Sequence, residues 1–306
     1  MSAHPGPIVA VGAHAAAIFM HVSSVPREGE SVLGWGYDEP EDGGKATNQA
    51  IAAARLGAPA ALVTVLGSDE RGRRARSWLE EARVDTRWVV EAEGPTDAGF
   101  VMLPPSKVPA ITTAQDRSRD LDGRAVEAAG EVVRSASCVV CQLEAPQEAA
   151  TAAFRIGREA GARAVLNPAP AQELEDELVS LTDVLVPNEH EAATLVGSDD
   201  PPPALAQGLA SRYRHVDVVV TAGAAGAYVA LRGGSGVEHV SAPEVADVVD
   251  TTGAGDAFVG ALAYRLREGD GVAASARFAV RAASISVTRP GTIRAFATLD
   301  DVRVPA

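Results

Sequence analysis

The chain has 306 residues, 46% of them hydrophobic, which is enough for one large α/β domain or two smaller ones. Its formal net charge of −14 argues against nucleic acid and anionic membrane surfaces as partners, and aromatic residues, at 4%, are too few for platforms that stack single-stranded bases. No apolar run approaches the ~20 residues of a membrane span and the N-terminus lacks a signal-peptide pattern, so we expect a cytoplasmic protein.

Short apolar runs alternate with alanine-rich or amphipathic stretches along most of the chain. Strands are predicted at 8–12, 18–22, 31–37, 61–66, 86–90, 97–103, 109–113, 138–143, 163–166, 183–186, 216–221, 227–231 and 236–240. Helices are predicted at 45–57, 69–82, 121–134, 147–160, 189–196, 203–213, 254–268 and 271–287, the last two closing the chain. This alternation predicts an α/β fold with a mostly parallel central sheet flanked by helices, although the strands between 18 and 37 and between 97 and 113 do not fit it.

The two cysteines, Cys138 and Cys141, have the spacing of a redox or metal half-site. The run Cys-Val-Val-Cys-Gln-Leu around them predicts a buried strand, in which positions i and i+3 point to opposite faces. The sequence also offers no second pair of ligands. We therefore expect both cysteines to be small core residues.

A glycine-rich stretch, Asp250–Phe258, leads into the predicted helix 254–268 and carries a carboxylate, Asp256, in its first turn. Gly253 and Gly255 let the backbone come close to a ligand, and the free N–H groups at a helix start favour an anion. A phosphate cradle beside a carboxylate base is what phosphoryl transfer to a hydroxyl needs. The alternative is a flexible loop whose aspartate stabilises the helix dipole.

Two other nucleotide-binding motifs are excluded. A Walker A loop ending at Gly44-Lys45 would need glycine where Glu39 stands and serine or threonine where Ala46 stands. A dinucleotide fingerprint starting at Gly253 would need glycine where Phe258 stands, and it would lie early in the chain.

Seven motifs resemble, in order, those of the ribokinase-like (PfkB-type) family of sugar kinases, and within it the ribokinases most. They are Gly43–Gly57, Gln142–Glu144, Leu166–Pro170, Pro187–Glu191, Val220–Gly226, Asp250–Phe258 and Val287–Gly291. The resemblance runs from about Ile8 to about Gly291. It implies one α/β domain over 1–306, with a small β lid over the sugar site formed by about 14–42 and 96–114. It also implies a homodimer formed through that lid.

The resemblance further implies an ATP-dependent phosphotransferase that acts on a hydroxyl of a small sugar or polyol. Asp256 would accept the hydroxyl proton, and the backbone N–H groups of Gly253, Ala254 and Gly255 would hold the phosphoryl oxygens. The residues that match sugar-contacting positions of the family are Gly44, Lys45, Asn48, Glu144 and Asp256. Those that match its nucleotide-binding positions are Asn188, Thr221, Gly223, Gly226 and Gly255.

Two cation sites are also implied by the resemblance. Asn188 and Glu191, three residues apart, would organise Mg²⁺ and phosphate, largely through water; the alternative for this pair is ordinary helix capping. Asp250, the backbone of Thr252 and the 287–291 loop resemble a monovalent-cation (K⁺) site. Ala295 stands where the family often supplies a serine hydroxyl to that site.

The sugar end of the pattern departs from the family. Ala15 and Ala17 stand where ribokinases carry an asparagine and an aspartate that bind sugar hydroxyls. Either the substrate differs from ribose at those hydroxyls, or a nearby side chain compensates. The side chains considered for that role are His14, Asp38, Asp42 and Asp116.

Two alternatives to a sugar kinase remain at this point. Apolar and aromatic residues in the predicted lid, such as Phe19, Trp35 and Phe100, would suit a nucleoside as phosphoryl acceptor. A non-catalytic sugar-binding protein would have no need of a base at Asp256, so the retained motif argues against that class.

Overall fold

The computed structural model describes residues 5–106 and 110–303. The strands, in chain order, are β1 (Ile8–Val11), β2 (Ala16–Val22), β3 (Gly34–Asp38), β4 (Ala60–Gly67), β5 (Val84–Asp85), β6 (Val89–Ala92), β7 (Ala98–Leu103), β8 (Ala110–Ala114), β9 (Cys138–Cys141), β10 (Arg163–Leu166), β11 (Val184–Leu185), β12 (Asp217–Thr221), β13 (Ala227–Ala230) and β14 (Val237–Val240). The helices are α1 (Gly44–Arg55), α2 (Glu70–Glu81), α3 (Gly123–Ala128), α4 (Gly130–Ser135), α5 (Gln147–Glu159), α6 (Asp176–Leu181), α7 (Glu189–Val196), α8 (Pro202–Arg212), α9 (Ala254–Arg267), α10 (Val272–Ser286) and α11 (Leu299–Arg303).

The large sheet has the strand order β14-β13-β12-β11-β10-β9-β1-β4-β5, and β6 also pairs with β4. Every pairing from β12 to β5 is parallel, whereas β13 and β14 add an antiparallel edge. The central strands are buried on both faces, which is why they read as unbroken apolar runs in the sequence. The predicted mostly parallel sheet flanked by helices is confirmed.

Helices cover both faces of this sheet, and the two cysteines mark the two faces. Cys141 packs in a core cluster with Phe154 of α5, while Cys138 packs in another with Leu262 of α9. Burial raises the pKa of Cys138 to about 12 and that of Cys141 well above its ordinary value, so both thiols stay protonated. Both cysteines are core residues, as predicted.

A separate small sheet has the strand order β3-β2-β7-β8. It is built from the two segments that do not fit the alternation of strands and helices. β2 pairs with β7 in parallel and the outer strands pair in the antiparallel direction, with a register shift between Phe19 and His21 in β2. The chain passes between the two sheets beside Asp97, a residue only 2% exposed.

Asp97 links the chain segments that run between the two sheets, because its carboxylate and its carbonyl group accept hydrogen bonds from them. The carboxylate accepts hydrogen bonds from the backbone N–H groups of Asp116 (2.7 Å), Arg117 (2.7 Å) and Ser118 (2.8 Å), where the chain leaves the small sheet. The carbonyl group accepts from the N–H of Ala16, at the start of β2, at 2.8 Å. One buried residue thus fixes three chain segments at the base of the small sheet.

Several predicted elements differ in detail from the structure. The predicted helix 121–134 is two helices, α3 and α4, which meet at Ala129 and Gly130. The predicted strand 86–90 is wrong over 86–88, which form a turn in which Arg87 donates to Asp85; only its last two residues lie in a strand, β6, and β5 precedes the predicted range. The short helices α6 and α11 were not predicted, so the chain does not close on α10; residue 109 of the predicted strand 109–113 lies outside the described residues. Within 5–106 and 110–303, no helix has both the length and the apolar character needed to cross a membrane.

We expect Asp97→Ala to lower the free energy of unfolding by about 2–4 kcal/mol, because three backbone N–H groups lose a charged acceptor in a buried place. Asp116→Ala is the matched control, since this neighbouring carboxylate is exposed. Urea unfolding of both variants measures the difference. Equal stability of Asp97→Ala and the unsubstituted protein would show that the crossings are held by other contacts.

Candidate active site

The candidate catalytic carboxylate, Asp256, lies in the first turn of α9. This helix begins after Gly253, which has a left-handed φ of 73°. A Cβ atom on Gly253 would lie 2.4 Å from Thr292 Cγ2, so only glycine fits there. The N–H of Ala254 donates to the Thr251 carbonyl at 3.2 Å. The turn therefore places Asp256 beside backbone N–H groups at a positive helix end.

Two amide side chains of α1 hold the carboxylate of Asp256. Asn48 Nδ2 donates to Oδ2 at 3.0 Å, and Gln49 Nε2 donates to Oδ1 at 2.9 Å. Gln49 is itself held, because its Nε2 also donates to Asn167 Oδ1 and its Oε1 accepts from Gln142. Sequence reasoning assigned no role to Gln49, Gln142 or Asn167, although all three lie in motifs that carry the resemblance.

Close packing of α1 against α9 makes these contacts possible. A Cβ atom on Gly260 of α9 would lie 2.7 Å from Ala52 Cβ and 2.8 Å from the Gln49 carbonyl oxygen. The face of α1 that meets α9 is built mainly from alanine. Small residues on both helices thus let the amide side chains reach the carboxylate.

Electrostatics at Asp256 suit a base. Burial, assisted by the nearby carboxylate of Asp42, raises its pKa to about 7. The Lys45 ammonium group and the two amide donors act in the opposite direction. A carboxylate with a pKa near neutrality takes up a proton far more readily than an exposed aspartate.

Lys45 and Glu144 form an ion pair among the residues predicted to contact the sugar. The Lys45 Nζ atom lies 2.6 Å from Glu144 Oε1, and the Lys45 backbone N–H donates to Glu144 Oε2 at 3.0 Å. Burial opposes the charge on Lys45, yet the carboxylates of Glu144 and Asp256 raise its pKa overall. Gly44 has a φ of 71°, and a Cβ atom there would lie 3.1 Å from the Ala15 nitrogen. The predicted sugar-contacting residues are therefore gathered in one place.

Ala15 and Ala17, predicted to stand at the anchor positions of the family, lie at this same place. The N–H of Ala15 donates to the Gly43 carbonyl at 3.1 Å, and that of Ala17 donates to the Asp42 carbonyl at 3.4 Å. Of the side chains considered as substitutes, Asp38 and Asp116 are exposed. His14 is 1% exposed and bonds to Thr47, and burial lowers its pKa to about 4, which is typical of a neutral core residue. Only Asp42, of these four, bonds to another residue of the site.

A cavity of about 400 Å³ lies on the other side of the α9 turn. All five predicted nucleotide-binding residues line it: Asn188, Thr221, Gly223, Gly226 and Gly255. Apolar side chains of α9 and α10 and of the preceding loop complete the wall, including Phe258, Val280 and Val248. Sequence reasoning missed these, because nothing marks an apolar helix residue as a cavity wall. A cavity lined by glycines, a few polar side chains and several apolar ones suits a nucleotide.

Asn188 and Glu191 form a capping box at the start of α7. The Asn188 side chain accepts from the Glu191 N–H at 2.8 Å, and the Glu191 carboxylate accepts from the Asn188 N–H at 2.8 Å. Burial raises the pKa of Glu191. The alternative of helix capping is thus realised, and each side chain uses one oxygen for it. No group of three or more metal-ligating side chains occurs in the described parts of the chain.

Asp250 joins two loops behind the α9 turn. Its Oδ1 accepts from the Thr252 N–H at 2.9 Å and its Oδ2 accepts from the Gly291 N–H at 3.1 Å. The residues predicted for a monovalent cation are therefore close together. Ala295 is 1% exposed and brings no side-chain oxygen to them.

Comparison with known proteins agrees with this arrangement. Residues 24–299 match the family described as pfkB family carbohydrate kinase. A ribokinase of Haemophilus influenzae is 34% identical over 278 residues, which cover 89% of this chain and 90% of that protein. A deoxyribokinase of Salmonella typhi is 31% identical over 96% of both chains.

Among solved structures, Arabidopsis thaliana ribokinase complexed with ribose and ATP is similar to this chain with a TM-score of 0.89, at 28% identity over 97% of each chain. The fold, the ordered motifs and these relatives lead to one conclusion: the chain belongs to the pfkB family of carbohydrate kinases.

Proposed function

We propose that this kinase transfers the γ-phosphoryl group of ATP to a hydroxyl of a small sugar or polyol, with Asp256 as the base. One observation carries the proposal: a carboxylate with both oxygens fixed lies in a helix turn between the nucleotide cavity and the Lys45–Glu144 pair. The ribose and ATP in the Arabidopsis relative support the same pair of substrates.

In the proposed reaction the substrate hydroxyl gives its proton to the Asp256 carboxylate. The hydroxyl oxygen then bonds to the γ-phosphorus as the bond from that phosphorus to the bridging oxygen breaks, which releases ADP. Backbone N–H groups from Gly253 to Gly255 stabilise charge on the phosphoryl oxygens. Gly44, Lys45, Asn48 and Glu144 orient the sugar, so that its hydroxyl faces the base.

Asn188 lines the nucleotide cavity, and Glu191 bonds to Asn188 and acts on the charge of Lys45. The two fit a hydrated Mg²⁺, because amide and carboxylate oxygens are the hard donors that this ion takes. When bound, Mg²⁺ would neutralise charge on the phosphate oxygens. Asp250 and Thr252 remain the proposed monovalent-cation site. In that site both Asp250 oxygens also accept backbone hydrogen bonds.

The small sheet is proposed to act as a lid over the sugar site, within one α/β domain that spans 1–306. Large apolar side chains are exposed on this sheet and just before β3, which supports a homodimer formed through the lid. The exposed ones are Leu33, Trp35, Tyr37, Phe100 and Ile111. The cytoplasmic location stays a prediction.

A substrate other than ribose is part of the proposal. Ala15 and Ala17 bring no side chain that binds a hydroxyl, and both lie next to the Asp42–Gly44 segment. The relative named deoxyribokinase supports the idea, because deoxyribose has one hydroxyl fewer than ribose.

Asp256→Asn is expected to lower kcat by ~10²–10⁴-fold, the ordinary effect of removing a general base, while ATP binding is retained. ADP release on the preferred substrate measures turnover, and calorimetry measures nucleotide binding. Asp300→Asn, at an exposed carboxylate in α11, is the control and should behave as the unsubstituted enzyme. Near-normal ADP release by Asp256→Asn would remove this residue from the role of base.

Glu191→Gln is expected to raise the Mg²⁺ concentration needed for half-maximal activity more than it raises the sugar KM. Glutamine still accepts the Asn188 N–H bond of the capping box, so the variant changes charge and keeps the cap. Activity titrated with Mg²⁺ at saturating sugar decides this. If the Mg²⁺ requirement is unchanged, Glu191 does not serve the metal.

Ribose is expected to be a poor substrate, with kcat/KM below ~10⁴ M⁻¹ s⁻¹. A lost charge-assisted anchor corresponds to a decrease on the order of 10²-fold relative to the preferred sugar. Steady-state kinetics across pentoses, hexoses, polyols and nucleosides provide the comparison. Ala17→Asp is the matched variant and should increase activity on ribose. An ordinary kcat/KM on ribose for the unsubstituted enzyme would overturn this proposal.

A further inference from the structure

Asp42 is a second carboxylate close to the proposed base, and the reaction proposed above gives it no task. It is 9% exposed and lies in the loop that precedes α1. Its Oδ1 accepts from the Gly44 N–H at 3.0 Å and from Asn48 Nδ2 at 3.0 Å, and its Oδ2 accepts from Thr292 Oγ1 at 3.0 Å. Both oxygens are therefore engaged with residues on two sides of the site.

Asn48 connects this carboxylate to the base. Its Nδ2 has two hydrogens, one directed to Asp42 Oδ1 and the other to Asp256 Oδ2, both at 3.0 Å. Its Oδ1 accepts from the Gly43 N–H at 3.2 Å. The amide orientation follows from these bonds, because the reverse orientation would set its oxygen against two carboxylates.

The two oxygens of Asp256 are supported by separate routes. Oδ1 depends on Gln49, which Asn167 and Gln142 hold from the large sheet. Oδ2 depends on Asn48, whose other N–H group is held by Asp42. Loss of the Asp42 carboxylate would release the Asn48 amide to rotate, and with it one side of the base.

Thr292 extends this route to the far side of the phosphoryl-transfer turn. It is 3% exposed, and its methyl group occupies the space beside Gly253 where a Cβ atom would stand. The Thr292–Asp42 bond therefore joins the loop before α1 to a segment that packs on the start of α9.

We propose that Asp42 is a positioning residue for the proposed base: it holds the Asn48 amide against Asp256, braced by Thr292, and places a second negative charge near the reacting hydroxyl. The inference rests on the proposed function, because it takes Asp256 as the base.

The charges that face Asp256 give this proposal a measurable signature. The Lys45 ammonium group and the amides of Asn48 and Gln49 favour the ionised carboxylate, whereas the negative charge of Asp42 and burial disfavour it. Lys45 in turn faces Glu144 and Glu191. Removing the charge of Asp42 should therefore lower the pKa of Asp256. In a plot of kcat/KM against pH, the acid limb, where activity falls as Asp256 is protonated, should then move to lower pH.

Two substitutions separate geometry from charge. In Asp42→Asn the side-chain oxygen still accepts from Gly44 and Asn48. The new amide donates to the Thr292 hydroxyl, which reverses the direction of that bond, so the contacts persist without the charge. Asp42→Ala removes both. For Asp42→Ala we expect kcat to fall about tenfold, as the loss of one charge-assisted hydrogen bond implies, with little change in the ATP KM.

For Asp42→Asn we expect kcat within about threefold of the unsubstituted value and an acid limb displaced by about half a unit or more to lower pH. Thr292→Val removes the hydrogen bond to Asp42 and keeps the negative charge of Asp42. It should lower kcat a fewfold, as the loss of one neutral hydrogen bond implies, without moving the limb to lower pH. Asp300→Asn is again the control at an exposed carboxylate.

Three outcomes would overturn the proposal. They are an Asp42→Ala enzyme with normal kcat, an Asp42→Asn enzyme with an unmoved limb, and a rise in sugar KM alone, which would make Asp42 a substrate-binding group. If Asp42→Ala does not fold, the position of the acid limb in the pH profile of Asp42→Asn tests the proposal by itself. Asp256→Asn, assayed beside them, tests the base itself. Normal turnover by Asp256→Asn would reject the proposed function. Loss of turnover in Asp256→Asn, together with normal kcat and an unmoved pH profile in the Asp42 variants, would reject only this inference.

Discussion

A carboxylate that is largely shielded from water is stable only beside hydrogen-bond donors or a cation. The groups that supply these contacts to Asp256 form the centre of this enzyme. Two amides of α1 bond to its oxygens and the Lys45 ammonium group faces it. These groups reach it because α1 and α9 touch at Gly260, where no side chain larger than hydrogen fits. The packing of two alanine-rich helices therefore sets the distance between the sugar end and the phosphoryl end, and a bulkier contact would separate them.

The fold was predictable where local patterns are strong. Apolar strands such as Ile8–Val11 and capped or glycine-ended helices such as Glu189–Val196 appear in the structure at their predicted places. The features that were not predicted are short. The helix Asp176–Leu181 has too few residues to show a helical period. The break near Ala129 leaves the helical pattern of the sequence intact on both sides. Tertiary packing fixes such pieces, and a single sequence does not display it.

For the site, the glycine-rich turn and the order of the motifs predicted which residues meet. What the residues do to one another was not predictable, since hydrogen bonds between Asn48, Gln49 and Asp256 join segments about 200 positions apart. The sequence left four side chains as possible substitutes for the missing anchors, and among them only Asp42 bonds to residues of the site, with both of its oxygens occupied by protein donors. The residues predicted to bind the nucleotide line one cavity, whereas Ala15 and Ala17 bring no polar side chain to the place predicted to bind the sugar.

The position of the two cysteines has a use that is independent of catalysis. Cys138 and Cys141 lie on one strand, yet each is sealed beneath a different layer of helices. A thiol reagent reaches either one only when the structure above it opens, so a rate of modification faster than global unfolding reports the opening of that layer. The unsubstituted chain therefore carries two natural reporters, one for each half of its interior.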